Sequence, residues 1–426
     1  MGLIVLFILL VILLVIGVPV AVSLALASLA YILIDGLPSV VLIHNMINGI
    51  DSFPLLAIPF FILAGHLMNT GGITNKIFAF ARACVGWMHG GLGHVNVGAS
   101  VIFAGMSGAA VADAGGLGNI EIKAMKDAKY DTDFSVGITA ASSIIGPIIP
   151  PSLPLVIYGV TASVSIGELF VAGIIPGLLM AVSLMIMVAY YARKRNYPRD
   201  KSFEWIRLRE TFKKAFLPLL TPAIIIGGIA TGAFTPTESA VAAVMYSLFL
   251  GMVVYKTLTF KHLIKVSMET IETTAAILLI IASAAIFAWI LTANQVANHL
   301  GDFLLSLSTD KTVLLLIIML LVLLIGMFME TIAAITILVP LLMPIAATVG
   351  IDPVHLGIIV ILNLMIGLLT PPVGMVLYVL SEVSNVKFEQ CVKATMPFLI
   401  PLTIVLLLVT FFPQLALWLP EMLYRQ

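Results

Sequence analysis

Charged residues are scarce in this chain. Of its 426 residues, 10% are Asp, Glu, Lys or Arg, where a typical soluble domain has about 25%. Hydrophobic residues make up 61%, and the mean hydropathy is +1.17. These values exclude a soluble globular protein and predict a polytopic protein in a lipid bilayer. The 21 basic and 21 acidic residues leave no net charge, so a nucleic-acid partner is excluded as well.

Cysteine and catalytic motifs are almost absent. Cys84 and Cys391 cannot build a disulfide framework, and no Cys/His spacing typical of a metal site occurs. Ser107 has no histidine at its predicted depth that could act as its base, which makes a membrane-embedded hydrolase a remote alternative. We therefore predict that the protein is not an enzyme and has no catalytic residues.

What stands out instead is the stretch 105–118, GMSGAAVADAGGLG, with five glycines in fourteen residues. Glycine at this density breaks a helix, and broken backbone at membrane depth is tolerated where it is buried or lines a cavity. Two helices of roughly 13 residues flank it and span ~20 Å each, less than the ~30 Å of a bilayer core. We predict a re-entrant hairpin over 94–122 with its tip at Ser107 and Gly108. Close helix packing through small residues is the alternative.

Prolines mark a second kind of interruption. The predicted span 134–161 contains GPIIPPSLP, and the predicted span 354–382 contains GLLTPPVG. Neither motif can continue a regular helix. A second hairpin is predicted over 313–348, around GMFMET. Adding 221 to a residue number pairs Gly105 with Gly326 and places the two Pro-Pro motifs on each other, which indicates an internal repeat.

The repeat predicts an all-α transporter architecture. Residues 1–192 form a first repeat, 193–214 a cytoplasmic linker and 215–426 a second repeat, each with five spans, an interfacial arm helix (71–93 and 294–311) and a re-entrant hairpin. An odd number of crossings inverts the second repeat, an arrangement typical of secondary transporters. With the linker in the cytoplasm, 19 of 21 basic residues fall on the cytoplasmic side, as the positive-inside rule requires. The N-terminus is then outside.

No lysine or arginine lies at midplane depth in this arrangement, so an anionic substrate must be held by helix N-termini, hydroxyls and bound cations. Unwound carbonyls beside half-helix ends favour Na⁺, and the repeat predicts two such sites. The first is predicted from Gly105, Ser107, Gly146, Ile149 and Pro150, and the second from Gly326, Gly367, Thr370 and Val373. Proline kinks with packing glycines are the alternative interpretation.

Other polar groups near the interruptions are candidates for substrate binding or coupling. The substrate-binding candidates are Ser107, Ser152, Thr331, Asn363 and Thr370. Asp113 and Glu330 are possible coupling carboxylates, because intramembrane carboxylates are usually functional. The alternatives are that the hydroxyls bond their own backbone and that the acids are first-turn residues favoured by the helix dipole.

Four segments together resemble a known family. AIPFFILAGHLMNTGGI (57–73), GMSGAAVADAGGLG, IGPIIPPSLP (145–154) and GLLTPPVG are similar to the large membrane subunit of TRAP transporters, the DctM/SiaM type. The resemblance spans the whole chain. It implies an elevator-type importer of small organic acids in a bacterial inner membrane, coupled to Na⁺, with sodium sites at the residues named above. It also implies two partners, a small four-helix membrane subunit and a periplasmic substrate-binding protein.

Two other transport functions remain as alternatives. A stand-alone divalent-anion/Na⁺ symporter would need neither partner. A passive channel would not need two inverted broken-helix sites.

Overall fold

The computed structural model describes residues 2–199, 203–308 and 310–424, without the side chains of 105–107, 304, 305 and 307. The described part is helical throughout and contains no strand. In chain order the helices are α1 Gly2–Ile16, α2 Val20–Ile34, α3 Val40–Ile50, α4 Ala57–Thr70, α5 Ile73–Val85, α6 Gly91–Ser107, α7 Ala110–Asp127, α8 Thr132–Ser143, α9 Leu153–Ala162, α10 Ile166–Lys194, α11 Trp205–Ala230, α12 Pro236–Phe249, α13 Phe260–Ala293, α14 Val296–Leu307, α15 Lys311–Gly326, α16 Thr331–Thr348, α17 Pro353–Gly367, α18 Met375–Ser384, α19 Phe388–Phe411 and α20 Gln414–Tyr424.

Many of these helices are apolar enough to lie in a lipid bilayer. Within the described residues, seven helices are long and apolar enough to cross a bilayer, and the shorter apolar helices include α1, α2, α6 and α15. The chain is therefore an all-α polytopic membrane protein, and that prediction is confirmed. The α13 helix has 34 residues, or about 50 Å, so it extends beyond a core of ~30 Å.

The first pair of antiparallel helices, α6 and α7, meets at Gly108. Gly108 is left-handed (φ 60°), and Ala109 is extended (φ −138°, ψ 127°). A Cβ on Gly108 would also lie 2.6 Å from the carbonyl oxygen of Pro151, so backbone conformation and space both require glycine. The helices are longer than the predicted 13 residues, with 17 and 18. Gly105 does not end α6, because a single glycine in a packed helix costs only about 1 kcal/mol.

The second pair, α15 and α16, is joined by residues 327–330. Glu330 is the N-cap of α16, and Ala109 is the N-cap of α7. These two caps are 221 residues apart, so the repeat offset holds where the second helix of each pair begins.

Each Pro-Pro motif lies in a gap between two half-helices. Residues 144–152 separate α8 from α9, residues 368–374 separate α17 from α18, and both Pro-Pro peptide bonds are cis. The half-helix after each gap ends at a left-handed residue with φ 55° and ψ 41°, Ser163 in one case and Asn385 in the other. The constant offset of 221 pairs Ser163 with Ser384, so it is one residue short here.

The α8 and α17 half-helices form the centre of the molecule. The residues from Val354 to Gly367 in α17 are buried, as are those from Phe134 to Ser143 in α8. A helix apolar on all sides is buried on all sides. Polar groups on these two helices must therefore find partners within the protein.

Part of the predicted polar linker 193–214 is helical, because α11 begins at Trp205. The start of the linker is held by Arg195, whose guanidinium donates to Asp131 and Asp133 at 2.9 Å each. Tyr197 adds a hydrogen bond to Asp131 at 2.7 Å. These contacts join the segment after α10 to the beginning of α8.

Candidate functional site

The second hairpin tip lies directly against the second broken helix. A Cβ on Gly367 would lie 2.7 Å from the carbonyl carbon of Gly326, so the two backbones touch. The amide of Val373 donates to the carbonyl of Met327 at 3.2 Å. The structure thus brings together Gly326, Gly367 and Val373, three of the residues predicted for the second cation site.

Thr370 lies in the same gap. Its hydroxyl donates to the carbonyl of Ile366 at 2.8 Å, and its amide donates to the carbonyl of Gly367 at 2.9 Å. Because the hydroxyl donates its proton within its own turn, its oxygen lone pairs stay available to a cation.

The first tip touches the first gap at Gly108 and Pro151, but Gly146 has more room than its counterpart Gly367. A Cβ on Gly146 would lie 4.0 Å from the Cα of Ala104 and 3.5 Å from the nearest carbonyl oxygen, ordinary contact distances. The side chain of Ile149 points at Gly177 of α10, where an added Cβ would be 2.3 Å from it. Ile149 and Pro150 therefore have only carbonyls to offer. The side chain of Ser107 lies outside the described part of the structure, and the backbone of Gly105 and Ser107 belongs to the last turn of α6.

A cavity of about 560 Å³ lies where both tips, both gaps, α4 and α13 meet. Pockets of ~300–1,000 Å³ are usual for small-molecule ligands. Four helices begin at its wall, with Ala110 of α7, Leu153 of α9, Thr331 of α16 and Met375 of α18 in the lining.

Two of these four helix N-termini are capped and two are not. The hydroxyl of Ser152 accepts from an amide of α9, and the carboxylate of Glu330 accepts from two amides of α16. Neither α7 nor α18 has a side-chain cap, since Ala109 and Gly374 occupy the cap positions. Free amides at a helix N-terminus carry partial positive charge and bind anions. The α7 and α18 ends are therefore the two helix N-termini at which no side chain occupies the amides that face the cavity.

The titratable side chains in the lining are His66, Glu269 and Glu330. His66 Nδ1 lies 3.3 Å from Glu269 Oε2, a contact between α4 and α13. Lysine and arginine do not line the cavity within the described residues, in line with the predicted lack of a cationic side-chain clamp.

The substrate-binding candidates separate into two groups. Thr331 lines the cavity, whereas Ser152, Asn363 and Thr370 are not part of its wall. Ser152 is fully buried and donates to the carbonyl of Pro147 while it caps α9. Asn363 is buried and donates to the carbonyl of Met319 in α15. Ser152 thus stabilises the first gap from within, and Asn363 joins α17 to the second hairpin.

The two candidate coupling carboxylates also differ. Glu330 accepts from the amides of Ile332 and Ala333 at 2.8 and 3.3 Å. It therefore stabilises the start of α16, the role considered above as the alternative to coupling, and it also lines the cavity. Asp113 is 2% exposed, and neither of its carboxylate oxygens has a hydrogen-bond partner.

The part of the cavity wall formed by α4 and α13 was not predicted from the sequence. Residues Ile62, Gly65, His66 and Asn69 of α4 line the cavity at spacings of three, four and seven. This periodicity places them on one helix face, but the apolar span gave no reason to single out that face. The buried Glu121 of α7 was also missed, because it lies just before a run of exposed polar residues.

Two hairpins and two interrupted helices around a shared cavity are the construction of a secondary membrane transporter. A family model described as "Tripartite ATP-independent periplasmic transporter, DctM component" matches residues 7–415. The chain therefore belongs to this family, whose members are transporters and not enzymes.

Individual relatives agree with this assignment. The sialic acid TRAP transporter large permease protein SiaM of Vibrio cholerae is 52% identical over 95% of both chains. The 2,3-diketo-L-gulonate TRAP transporter large permease protein YiaN of Escherichia coli is 38% identical over 94% of this chain and 95% of its own length. Among solved structures, the YdaH transporter of Alcanivorax borkumensis matches with a TM-score of 0.66 at 15% identity, covering 89% of this chain and 88% of its own. That last likeness concerns the fold alone.

Proposed function

We propose that this chain is the large membrane subunit of a Na⁺-coupled importer of a small organic acid. The observation that carries the proposal is the pair of uncapped N-termini, Ala110 of α7 and Met375 of α18, in one cavity. An anion bound there would face backbone amides instead of a fixed side-chain charge. A carboxylate at this depth still requires compensation, which bound Na⁺ would supply.

The substrate class follows from the names of the relatives. They include permeases for sialic acid, for 2,3-diketo-L-gulonate and for C4-dicarboxylates, which are carboxylates, and one for isethionate, a sulfonate. We propose a carboxylate substrate and take sialic acid as the first compound to test, because the relative at 52% identity is named for it.

Two sodium sites are proposed at the tip–gap contacts. The first would use Gly105, Ser107, Gly146, Ile149 and Pro150, and the second Gly326, Gly367, Thr370 and Val373. Most of these residues can offer only a backbone carbonyl, and unwound carbonyls suit Na⁺. Since Na⁺ and substrate would occupy neighbouring positions of opposite charge, each should raise the affinity for the other by the same factor.

Transport is proposed to follow an elevator mechanism. The hairpins and broken helices would move as one body against α4 and α13, and the cavity lies along that seam. With the linker after α10 in the cytoplasm, the half-exposed pair His66 and Glu269 lies near the cytoplasmic ends of α4 and α13. The structure would then be in an inward-facing state.

The setting is proposed as a bacterial inner membrane with a periplasmic N-terminus. The partners would be a small four-helix membrane subunit and a periplasmic binding protein. The longest polar segment, 193–214, lies on the cytoplasmic side in this topology, so capture of a dilute anion from the periplasm must be supplied by another protein.

The test is reconstitution with the small subunit in liposomes, with labelled N-acetylneuraminic acid and the binding protein outside. Accumulation should require an inward Na⁺ gradient and should stop when K⁺ replaces Na⁺ or when the binding protein is withheld. Undiminished uptake without the binding protein would favour the stand-alone divalent-anion/Na⁺ symporter. Undiminished uptake in K⁺ would exclude the proposed sodium sites. Asp113 and Glu330 would then be the candidates for carrying a coupling proton.

A further inference from the structure

Glu121 is a buried carboxylate in the middle of the first hairpin that the proposed transport cycle does not use. It is 1% exposed. Its Oε2 accepts a hydrogen bond from the side-chain amide of Asn96 at 2.7 Å, while its Oε1 has no partner. One neutral donor is all that the surrounding protein supplies to this acid.

Three helices contribute to the polar network around it. The Asn96 amide of α6 also donates to the hydroxyl of Thr139 in α8 at 2.7 Å. The hydroxyl of Ser142, also in α8, donates to the amide oxygen of Asn96 at 2.6 Å. Among the described residues, the hydrogen bonds of this network join amides, hydroxyls and the acid itself, without a cationic side chain, so nothing in it balances a negative charge on Glu121.

A buried ion without a counter-charge is costly, by several kcal/mol even after relaxation. A protonated carboxylic acid avoids this cost and can still accept the hydrogen bond from Asn96. Sodium fits less well, because the Asn96 amide nitrogen, a donor, occupies the space between the Glu121 and Thr139 oxygens. A proton on Glu121 needs no displacement of that amide.

The fold itself does not require this network. At the repeat offset of 221, Glu121 corresponds to Leu342 and Thr139 to Val360, which are 1% and 0% exposed. The second repeat thus has apolar side chains at these two positions, and Asn363, which corresponds to Ser142, bonds the backbone of α15 instead of an acid. An acid kept where a leucine suffices points to a role in the function of the hairpin.

Other titratable groups surround this site. The helices packed against α7 contribute His94 from α6, Asp133 from α8, and Tyr378 and Glu382 from α18; α7 itself carries Asp113, Lys123, Lys126 and Asp127. His94 is 2% exposed with an unpartnered Nδ1, and Asp133 is engaged by Arg195. Lys126 donates to the carbonyl of Ser384.

We propose that Glu121 is a proton-binding site, held by Asn96, and that the proton stays on Glu121 in both positions of the first hairpin, because α6, α7 and α8 move together. The site stands on the geometry of α6, α7 and α8 alone. That the proton stays bound during the movement rests on the proposed transport function.

The site is tested by infrared spectroscopy of the full-length protein in nanodiscs at neutral pH. The wild type should show the C=O band of a protonated carboxylic acid with the expected shift in D₂O. Glu121→Gln should lose one such band, while Asp127→Asn, an exposed acid on the same helix, should leave the spectrum unchanged. If Glu121→Gln does not fold, Glu121→Leu takes its place, because a leucine, Leu342, occupies the corresponding position of the second hairpin.

Three results would overturn the site: no such band in the wild type, no change in Glu121→Gln, or loss of the wild-type band on addition of Na⁺. Retention of the proton is tested with a pH dye inside the liposomes. Na⁺-driven N-acetylneuraminic acid uptake should leave the lumenal pH unchanged in the wild type and in Glu121→Gln, and an acidification that disappears in Glu121→Gln would show that Glu121 releases its proton and would overturn this part of the proposal. Loss of Na⁺ dependence in the wild type would contradict the proposed function but not the infrared result.

Discussion

The two hairpins share a backbone plan but distribute their polar groups in opposite ways. The first has an uncapped tip, with Ala109 at the N-cap, and a body that contains the buried acids Asp113 and Glu121. The second has an acid at its tip, Glu330, and an apolar body. The shared plan comes from glycines and prolines, which determine backbone shape, whereas the side chains between them are free to specialise. The first hairpin is therefore suited to meet an anion at its tip, and the second is suited to stabilise its own helix.

The largest difference in uptake is expected between substitutions of Gly367 and Gly146, which correspond to each other at the repeat offset of 221. Gly367→Ala should abolish Na⁺-dependent uptake, because its Cβ would lie 2.7 Å from the backbone of Gly326. Gly146→Ala should keep most of the activity, since its nearest new contact would be 3.5 Å away. Uptake with equal expression of both variants measures this, and equal loss in both would show that the two contacts are equally tight.

A charge at the first tip should have the next largest effect. Ala109→Asp would cap α7 and stabilise it by about 1 kcal/mol, but its carboxylate would repel an anionic substrate from the α7 amides. We expect KM for the substrate to rise by roughly tenfold or more, the equivalent of about 1.4 kcal/mol, together with a higher melting temperature.

The control for this change is Ala109→Asn, which caps the helix without a charge and should raise KM less. If both variants lower uptake equally, occupation of the amides rather than charge would explain the effect. If neither does, the substrate does not bind at the α7 terminus.

A smaller effect is expected for Thr370 in the second gap. Thr370→Ala should raise the Na⁺ concentration for half-maximal uptake several-fold, because it removes one oxygen next to the proposed cation. Thr370→Ser keeps that oxygen and should resemble the wild type. Na⁺ activation curves for the three proteins distinguish them, and a wild-type curve for Thr370→Ala would exclude the hydroxyl as a ligand.

The smallest effect concerns the starts of the two broken helices. Asp352 caps α17 through the amides of Val354 and His355, whereas Asp131 and Asp133 at α8 bind Arg195. The hydrogen bond from Arg195 lowers the pKa of Asp133 below its ordinary value, so its contribution to stability is present at neutral pH and is lost as acidification passes through that lowered pKa. Arg195→Ala should lower stability by less than about 1 kcal/mol, as for other exposed ion pairs.

The measurement is thermal unfolding in detergent as a function of pH. The difference between Arg195→Ala and wild type should be constant at neutral pH and shrink below about pH 4, the ordinary range for Asp. A difference that persists unchanged in acid would assign the effect to packing of the arginine on Tyr191.

Much of the site could be anticipated from residues that control the backbone. The hairpin tips at Gly108 and 327–330 and the gaps around both Pro-Pro pairs lie where glycine and proline predict them. The ends of the helices were less predictable. The polar segments 123–127 and 205–214 are helical, because a terminal turn of a helix can extend into water without loss of hydrogen bonds. Ser152 and Asn363 were predicted to bind substrate, and their sequence context could not show that the fold already uses both in hydrogen bonds.

The sequence by itself determined the all-α membrane class, through scarce charge and high hydropathy, and the positions of the broken backbone, through glycine and proline. These are local properties of the chain. Only the tertiary structure decided which groups meet: that α7 and α18 present uncapped ends to one cavity, that His66 of α4 contacts Glu269 of α13 in its wall, and that Glu121 has a single neutral donor. Such facts depend on contacts between residues far apart in sequence, and no local pattern encodes them.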